Sequence, residues 1–308
     1  MSRLDPALAD YLRLRRGLGY KLERTAKLLA QFTAYHDSIG ADTLTVQAAL
    51  AWATLPADGG ARWLAMRLTV VRGFAAYLHA IDPRHELVPT DLLPDRGQRA
   101  TPYLYSDADI AGLIAAPAML RTPHRAATYQ TLLGLLAVSG MRVGEAIRLD
   151  RADLDSTEEL LTIRNSKFGK SRLVPLHPTS VSALRRYLRR RDRPRPAVPT
   201  SALFVSDAGT RLLYCNVNWT YLKLVRRAGL VPRSAACRPR IHDLRHTFAV
   251  RSILDAYRAG ADVQARLPLL STYLGHVNPG ATYWYLSAAP ELLDLAGQRL
   301  ERHLGGRP

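Results

Sequence analysis

The chain has 308 residues, 47% hydrophobic and 22% charged, with 43 basic against 26 acidic side chains and a formal net charge of +17. That much apolar material excludes a disordered chain, and the length suggests about two domains. The charge excess points to a polyanionic partner, nucleic acid ahead of an anionic membrane, and two cysteines, Cys215 and Cys237, exclude a disulfide framework and a cysteine-rich zinc module.

No export or membrane segment is predicted. Asp5 and Asp10 stand where a signal peptide needs an apolar core, and the longest apolar runs, such as Leu132–Val138, fall short of the roughly 20 residues a spanning helix needs. The expected home is the bacterial cytoplasm, in association with the nucleoid. Residues 1–100 carry a net +3 and the remaining 208 carry +14, so attraction for a polyanion is concentrated in the second part. In the first part apolar residues recur at helical spacing at Leu28, Leu29, Phe32 and Tyr35, then at Leu64, Leu68, Val71, Phe74, Ala75 and Leu78. Breaks at Gly17–Gly19, Gly40 and Asp58–Gly60 divide this region into about four helices, a small bundle. Arg62, Arg67 and Arg72 fall on the polar side of the last helix, as a solvated face or as phosphate contacts. Two prolines, a glycine and mixed charge over 92–104 read as a linker.

Beyond it, Ser106 and Asp107 are placed to cap a helix that starts at Ala108. Tyr129–Val138 reads as a buried helix ended by Ser139 and Gly140. Leu160–Arg164 and Arg172–Leu176 read as the arms of a hairpin joined by a polar, glycine-containing turn. A helix from Thr179 to Arg191 stops at a proline-rich stretch. Helices dominate from there, the last beginning at Pro290 with Leu293, Leu300 and Leu304 on one face.

Two apparent motifs are discounted. Gly169-Lys170-Ser171 lacks the opening glycine of a phosphate-binding loop, because residue 164 is Arg. His242 and His246 have zinc-ligand spacing, but Asp243 replaces the glutamate of that pattern and Arg245 between them repels a cation. No metal or other cofactor is expected.

Three clusters remain: SGMRVGE over 139–145, HDLRHTF over 242–248, and LGH over 274–276 with Tyr285 nine residues on. In this order, on a basic two-part chain, they resemble the boxes of the tyrosine recombinases, or phage integrases. The first resembles T-G-x-R-x-x-E, the second contains H-x-L-R-H, and the third is the closing L-G-H before a tyrosine. SKFGKSRLVPL over 166–176 is similar to the family's lysine-bearing turn running into a V-P-L strand. The resemblance spans about 101–290 through motifs, while 1–95 matches only as a helical region. Two departures stand out: Arg245 and His276 are 31 positions apart, longer than usual, and Thr282 is a single threonine where the family has a pair.

The resemblance implies a mainly α fold with a small β-sheet (α+β). Residues 1–95 would form a helical, SAM-like core-binding bundle that clamps DNA, 96–104 a linker, and 105–308 the mixed catalytic domain. It implies a site-specific recombinase that cleaves and rejoins DNA through a 3′-phosphotyrosyl intermediate, with neither metal nor ATP. Tyr285 would be the nucleophile, ahead of Tyr273 and Tyr283. A tyrosine hydroxyl, with a reference pKa of about 10, needs help at neutral pH. Arg142 and Arg245 would offer guanidinium forks to the nonbridging oxygens, where charge gathers in the transition state. His242 would bond the phosphate and accept the tyrosine proton, His276 would donate to a nonbridging oxygen, and Lys167, ahead of Lys170, would protonate the leaving 5′-oxygen. Glu145 would orient the arginine or a histidine. The implied partners are double-stranded DNA with a specific recombination site and other protomers, as a homotetramer on DNA or a hetero-assembly with related recombinases, with no membrane. Type IB topoisomerase-like relaxation and an inactive DNA-binding accessory protein are the alternatives.

Overall fold

Apolar positions repeating at helical spacing fold the first stretch into four helices: α1 (Asp5–Gly17), α2 (Glu23–Ser38), α3 (Val46–Thr54) and α4 (Ala61–Ile81). The computed structural model describes residues 4–94, 101–164, 171–192 and 200–276, with Gly280, Thr282, Gly297 and Glu301. The chain divides into two units, Met1–Arg99 and Ala100–Pro308. In the first, Leu29, Phe32, Leu44, Trp52, Val71 and Phe74 are sealed from solvent, and Phe32 meets Trp52 edge-on at 5.4 Å. Each such side chain contributes about 1.5–3 kcal/mol on burial. By length and composition α4 alone among the described helices could cross a membrane. Here it is the central helix of the bundle, with Leu68, Val71, Phe74, Ala75 and Leu78 buried in the shared core.

Arg67 corrects the expected polar face of α4. It is 7% exposed. Its Nε donates to Ala53 O at 3.2 Å and its Nη2 to Trp52 O at 2.7 Å, with the guanidinium 3.7 Å over the Trp52 ring. The last carbonyls of a helix have no intrahelical partner. A cation from α4 therefore caps α3, and the two carbonyls and the ring compensate its loss of hydration. Arg62 is exposed, and Arg72 bonds the Thr69 hydroxyl.

The second unit comprises α5 (Asp107–Ala115), α6 (Pro123–Ser139), α7 (Val143–Arg148), β1 (Leu154–Asp155), β2 (Leu160–Ile163), β3 (Arg172–Pro175), α8 (Pro178–Arg191), α9 (Tyr214–Arg227), α10 (Asp243–Arg258) and α11 (Val263–Leu274). Ser106 caps α5 as its sequence suggests, with its hydroxyl accepting from Asp109 N while the Asp109 carboxylate accepts from Ser106 N. Helix α6 runs through the core and packs against α5, α8 and α10, with Leu132, Leu133, Leu135 and Leu136 nearly inaccessible. The sheet is antiparallel in the order β1-β2-β3, with Leu161 opposite Val174 and Ile163 opposite Arg172. Leu161, Ile163 and Val174 face the core, and Leu173 points outward. Both hairpin arms were legible as β-rich runs on either side of a polar stretch; the two-residue β1 was not. Tyr103 and Tyr105 are buried in this unit's core.

Candidate active site

Helix α6 ends at Gly140, whose φ of +59° is a left-handed conformation that suits glycine. The chain then extends through Arg142 and starts α7 one residue later. Glu145, in the first turn of α7, accepts from Arg142 N at 2.9 Å and from Arg142 Nη1 at 2.8 Å. Arg142 Nη2 reaches Gly275 O at 3.2 Å. Thus the arginine is held by a carboxylate three residues on and a carbonyl 133 residues on. Of the two partners open to Glu145 from sequence, the structure selects the arginine. It also adds a second one: Arg172, at the head of β3, bonds Glu145 Oε1 at 3.2 Å and Oε2 at 2.8 Å. Burial alone would raise the Glu145 carboxyl, but the Arg172 and Arg142 hydrogen bonds and charges outweigh it and hold the group at about 2.

The second cluster opens α10. Arg245, 2% exposed, donates Nη1 to Gly140 O at 2.9 Å and Nη2 to Leu274 O at 2.6 Å. These bonds tie all three sequence clusters to one guanidinium. His242 precedes α10 and is exposed at its surface. Desolvation by the pocket walls, then the charges of Arg245, Arg142 and Arg240, lower its pKa to about 4, so the ring is neutral at neutral pH. Asp243 beside it is fully buried and gripped by Arg240, Nε to Oδ2 at 3.0 Å and Nη2 to Oδ1 at 2.8 Å. The His246 ring lies edge-on to His242 at 4.9 Å. Among the described residues no group of three His, Cys, Asp or Glu is placed to hold a metal ion.

The third cluster closes α11. Gly275, φ +68°, ends the helix and delivers His276 into the pocket. His276 Nδ1 lies 2.7 Å from the hydroxyl of Thr282, which is 1% exposed. Burial, then Arg245, Arg142, Arg172 and His242, lower His276 to about 4.

Arg142, Glu145, His242, Arg245 and His276 therefore share one electropositive pocket. Lys167 and Tyr285 lie outside the described residues, as do Lys170, Tyr283 and all but Gly297 and Glu301 of the expected terminal helix. Sequence reading missed Arg172, which it took only as the first residue of a strand, and the contact of Thr282 with His276. The signal for Arg172 was available in part: a charged residue at the start of a strand that buries Val174 in the core.

The sequence profile described as the phage integrase family matches residues 109–291. The chain is also 44% identical over 308 residues to an integrase/recombinase of Sinorhizobium fredii (strain NBRC 101917 / NGR234), covering 98% of each chain. The chain belongs to the phage integrase family. It is 27% identical to the tyrosine recombinase XerC of Chlamydia caviae, over 75% of this chain and 69% of that one. Two solved folds are similar to this phage integrase: the Tn1549 transposon integrase in complex with transposon right end DNA and the XerH site-specific recombinase bound to palindromic difH substrate. The first has a TM-score of 0.65 at 17% identity over 98% of this chain and 99% of that one. The second has a TM-score of 0.60 at 19% identity over 91% of this chain and 78% of that one.

Proposed function

We propose that this integrase is a site-specific recombinase of double-stranded DNA that breaks and rejoins a phosphodiester through a 3′-phosphotyrosyl intermediate. The observation that carries the reading is the cluster itself: segments 133 positions apart are joined by Arg142 on Gly275 O, and the charges of Arg142 and Arg245 both act on the neutral imidazoles of His242 and His276.

The chemistry follows from those states. A dianion-like phosphorane develops charge on its nonbridging oxygens, and Arg142 and Arg245 are held in advance by fixed carbonyls and a carboxylate, so little reorganisation is needed. A neutral His242 bonds the phosphate and takes the proton of the attacking hydroxyl, a role closed to an imidazolium. If the Thr282 hydroxyl donates to His276 Nδ1, Nε2 carries the remaining proton and donates it as a hydrogen bond to a nonbridging oxygen. Tyr285 attacks phosphorus, the bond to the 5′-oxygen breaks, and Lys167 supplies that oxygen's proton. Rejoining reverses the step, and because one phosphodiester is exchanged for another no external energy source is required. Residues 1–95 serve as the core-binding clamp, 96–104 as the linker and 105–308 as the catalytic domain. Exchange between two duplexes involves four cleavages, hence four protomers on DNA, identical or mixed with related recombinases. The protein acts in the bacterial cytoplasm at the nucleoid.

A nicked duplex carrying a candidate recombination site from the DNA beside the coding sequence tests this. Loss of the short fragment after cleavage traps the intermediate, so a detergent-resistant protein–DNA band is expected, and it should persist in strong chelator. Absence of that band, with DNA still bound, would identify an accessory binding protein instead. Relaxation of supercoiled DNA without any preferred site would identify a topoisomerase.

A further inference from the structure

We propose that Arg172 is a positioning residue of the phosphate pocket: by pairing with Glu145 it leaves the charge of Arg142 available to the scissile phosphate, and by packing on Gly275 it fixes the turn that carries His276. The inference rests on the recombinase reading above.

Glu145 is the centre of the argument. Its side chain is 1% exposed and receives four donors: Arg142 N, Arg142 Nη1, Arg172 Nη1 and Arg172 Nη2. A carboxylate has about four acceptor sites, so this one is filled. Consider the charges in the absence of Arg172. Arg142 and Glu145 would cancel, and a buried pair of zero net charge offers a phosphate little. With Arg172 present the trio carries a net positive charge. In a partly desolvated pocket that difference is felt strongly. The carboxylate then orients Arg142 without neutralising the site.

Arg172 differs from Arg142 in access. The Arg172 side chain is 12% exposed and the Arg142 side chain 27%. Both Nη atoms of Arg172 are committed to Glu145, and its buried Nε has no partner among the described residues. It is thus placed to act through Glu145 and not on the DNA. A second contact extends the role. A Cβ built on Gly275 would fall 2.8 Å from Arg172 Nη1 and 3.2 Å from Cζ, so the guanidinium packs directly on the backbone preceding His276. Finally, Arg172 opens β3, five residues after Lys167 in the sequence. One side chain thereby links the hairpin, the Arg142 helix and the His276 turn.

The test is a charge-compensation cycle on the full chain, read as single-turnover cleavage of a nicked duplex at saturating DNA. Arg172→Gln should slow cleavage by about 10- to 100-fold, the range for groups that hold a reacting group's partner, with DNA affinity near wild type. Adding Glu145→Gln to it removes the uncompensated carboxylate and should recover part of the rate; the double variant cleaves faster than Arg172→Gln alone. A merely structural arginine gives the opposite, a double variant as slow as or slower than the single. That result, or wild-type cleavage by Arg172→Gln, overturns the inference while leaving the recombinase reading intact. If Arg172→Gln does not fold, Arg172→Lys decides, because it keeps the charge and loses the fork. A smaller loss than that of Arg142→Ala is expected, and an equal loss overturns the proposal. Failure of the wild-type chain to form any covalent complex would instead remove the recombinase reading, and this inference with it.

Discussion

Gly140→Ala separates the geometric basis of the pocket from its charges. Gly140 has φ +59°, and a Cβ there would stand 2.4 Å from Phe248 Cδ1 and 2.9 Å from Cγ. Holding alanine in the left-handed region costs about 1–2 kcal/mol. Pushing Phe248 aside disturbs its stack on Tyr273, at 5.6 Å and 22°, and overpacking of this kind costs about 1–3 kcal/mol. The expected destabilisation is therefore about 2–5 kcal/mol. A second consequence is chemical. The Gly140 carbonyl accepts Arg245 Nη1 at 2.9 Å, so a shift of this turn moves a buried guanidinium. Cleavage should slow by about 10- to 100-fold beyond what unfolding explains. Gly134→Ala is the matched control: the same helix, nothing within 4 Å of the added Cβ, and an expected gain of up to about 1 kcal/mol. Urea unfolding of the full chain, followed by hydrogen exchange in peptides from α6 and α10, reads both variants, and single-turnover cleavage follows in native buffer. Equal stability of the two variants, or full cleavage by Gly140→Ala, would refute the reasoning.

Arg67→Ala should destabilise the N-terminal unit by about 2–4 kcal/mol, because two charge-assisted hydrogen bonds and a ring contact are lost together; urea unfolding followed by tryptophan emission checks this, and a loss below about 0.5 kcal/mol would exclude a capping role. His242 and His276 sit at about 4 in the folded chain, below the ordinary value of about 6.5. Between those values the unfolded chain binds more protons, so their contribution to stability is complete above about pH 6.5 and lost as pH falls through about 4. Urea midpoints should fall accordingly, and His276→Gln should flatten the profile. For the leaving group, a 5′-bridging phosphorothiolate, which departs without a proton, should rescue Lys167→Ala and not Arg142→Ala; rescue of Lys170→Ala instead would move the acid to that lysine.

What could be read without coordinates was local or repetitive. The Gly140 stop of α6, the Ser106 cap and the β-rich runs of β2 and β3 are each written within a few residues. The three clusters around Arg142, Arg245 and His276 were legible because their types and order are unusual. What escaped depends on partners far along the chain. Arg67 reads as polar because nothing near it shows that the α3 carbonyls and Trp52 will be folded over it. Arg172 reads as an edge charge because its carboxylate lies 27 positions earlier. Asp243 counted against zinc, but its actual partner, Arg240, stood three residues earlier and went unread. Burial converts these ordinary surface residues into fixed parts of the structure, and burial is a property of the whole fold.

The central claim is that Tyr285 becomes covalently joined to DNA, and the most direct measurement is to find the joined residue. The trapped complex would be digested with protease and nuclease, and the nucleotide-bearing peptide sequenced by mass spectrometry. The expected peptide carries its phosphate on Tyr285, with Tyr285→Phe binding DNA normally and forming no adduct while Tyr283→Phe still forms one. A phosphate on Tyr283, on Tyr273 or on any other side chain would contradict it.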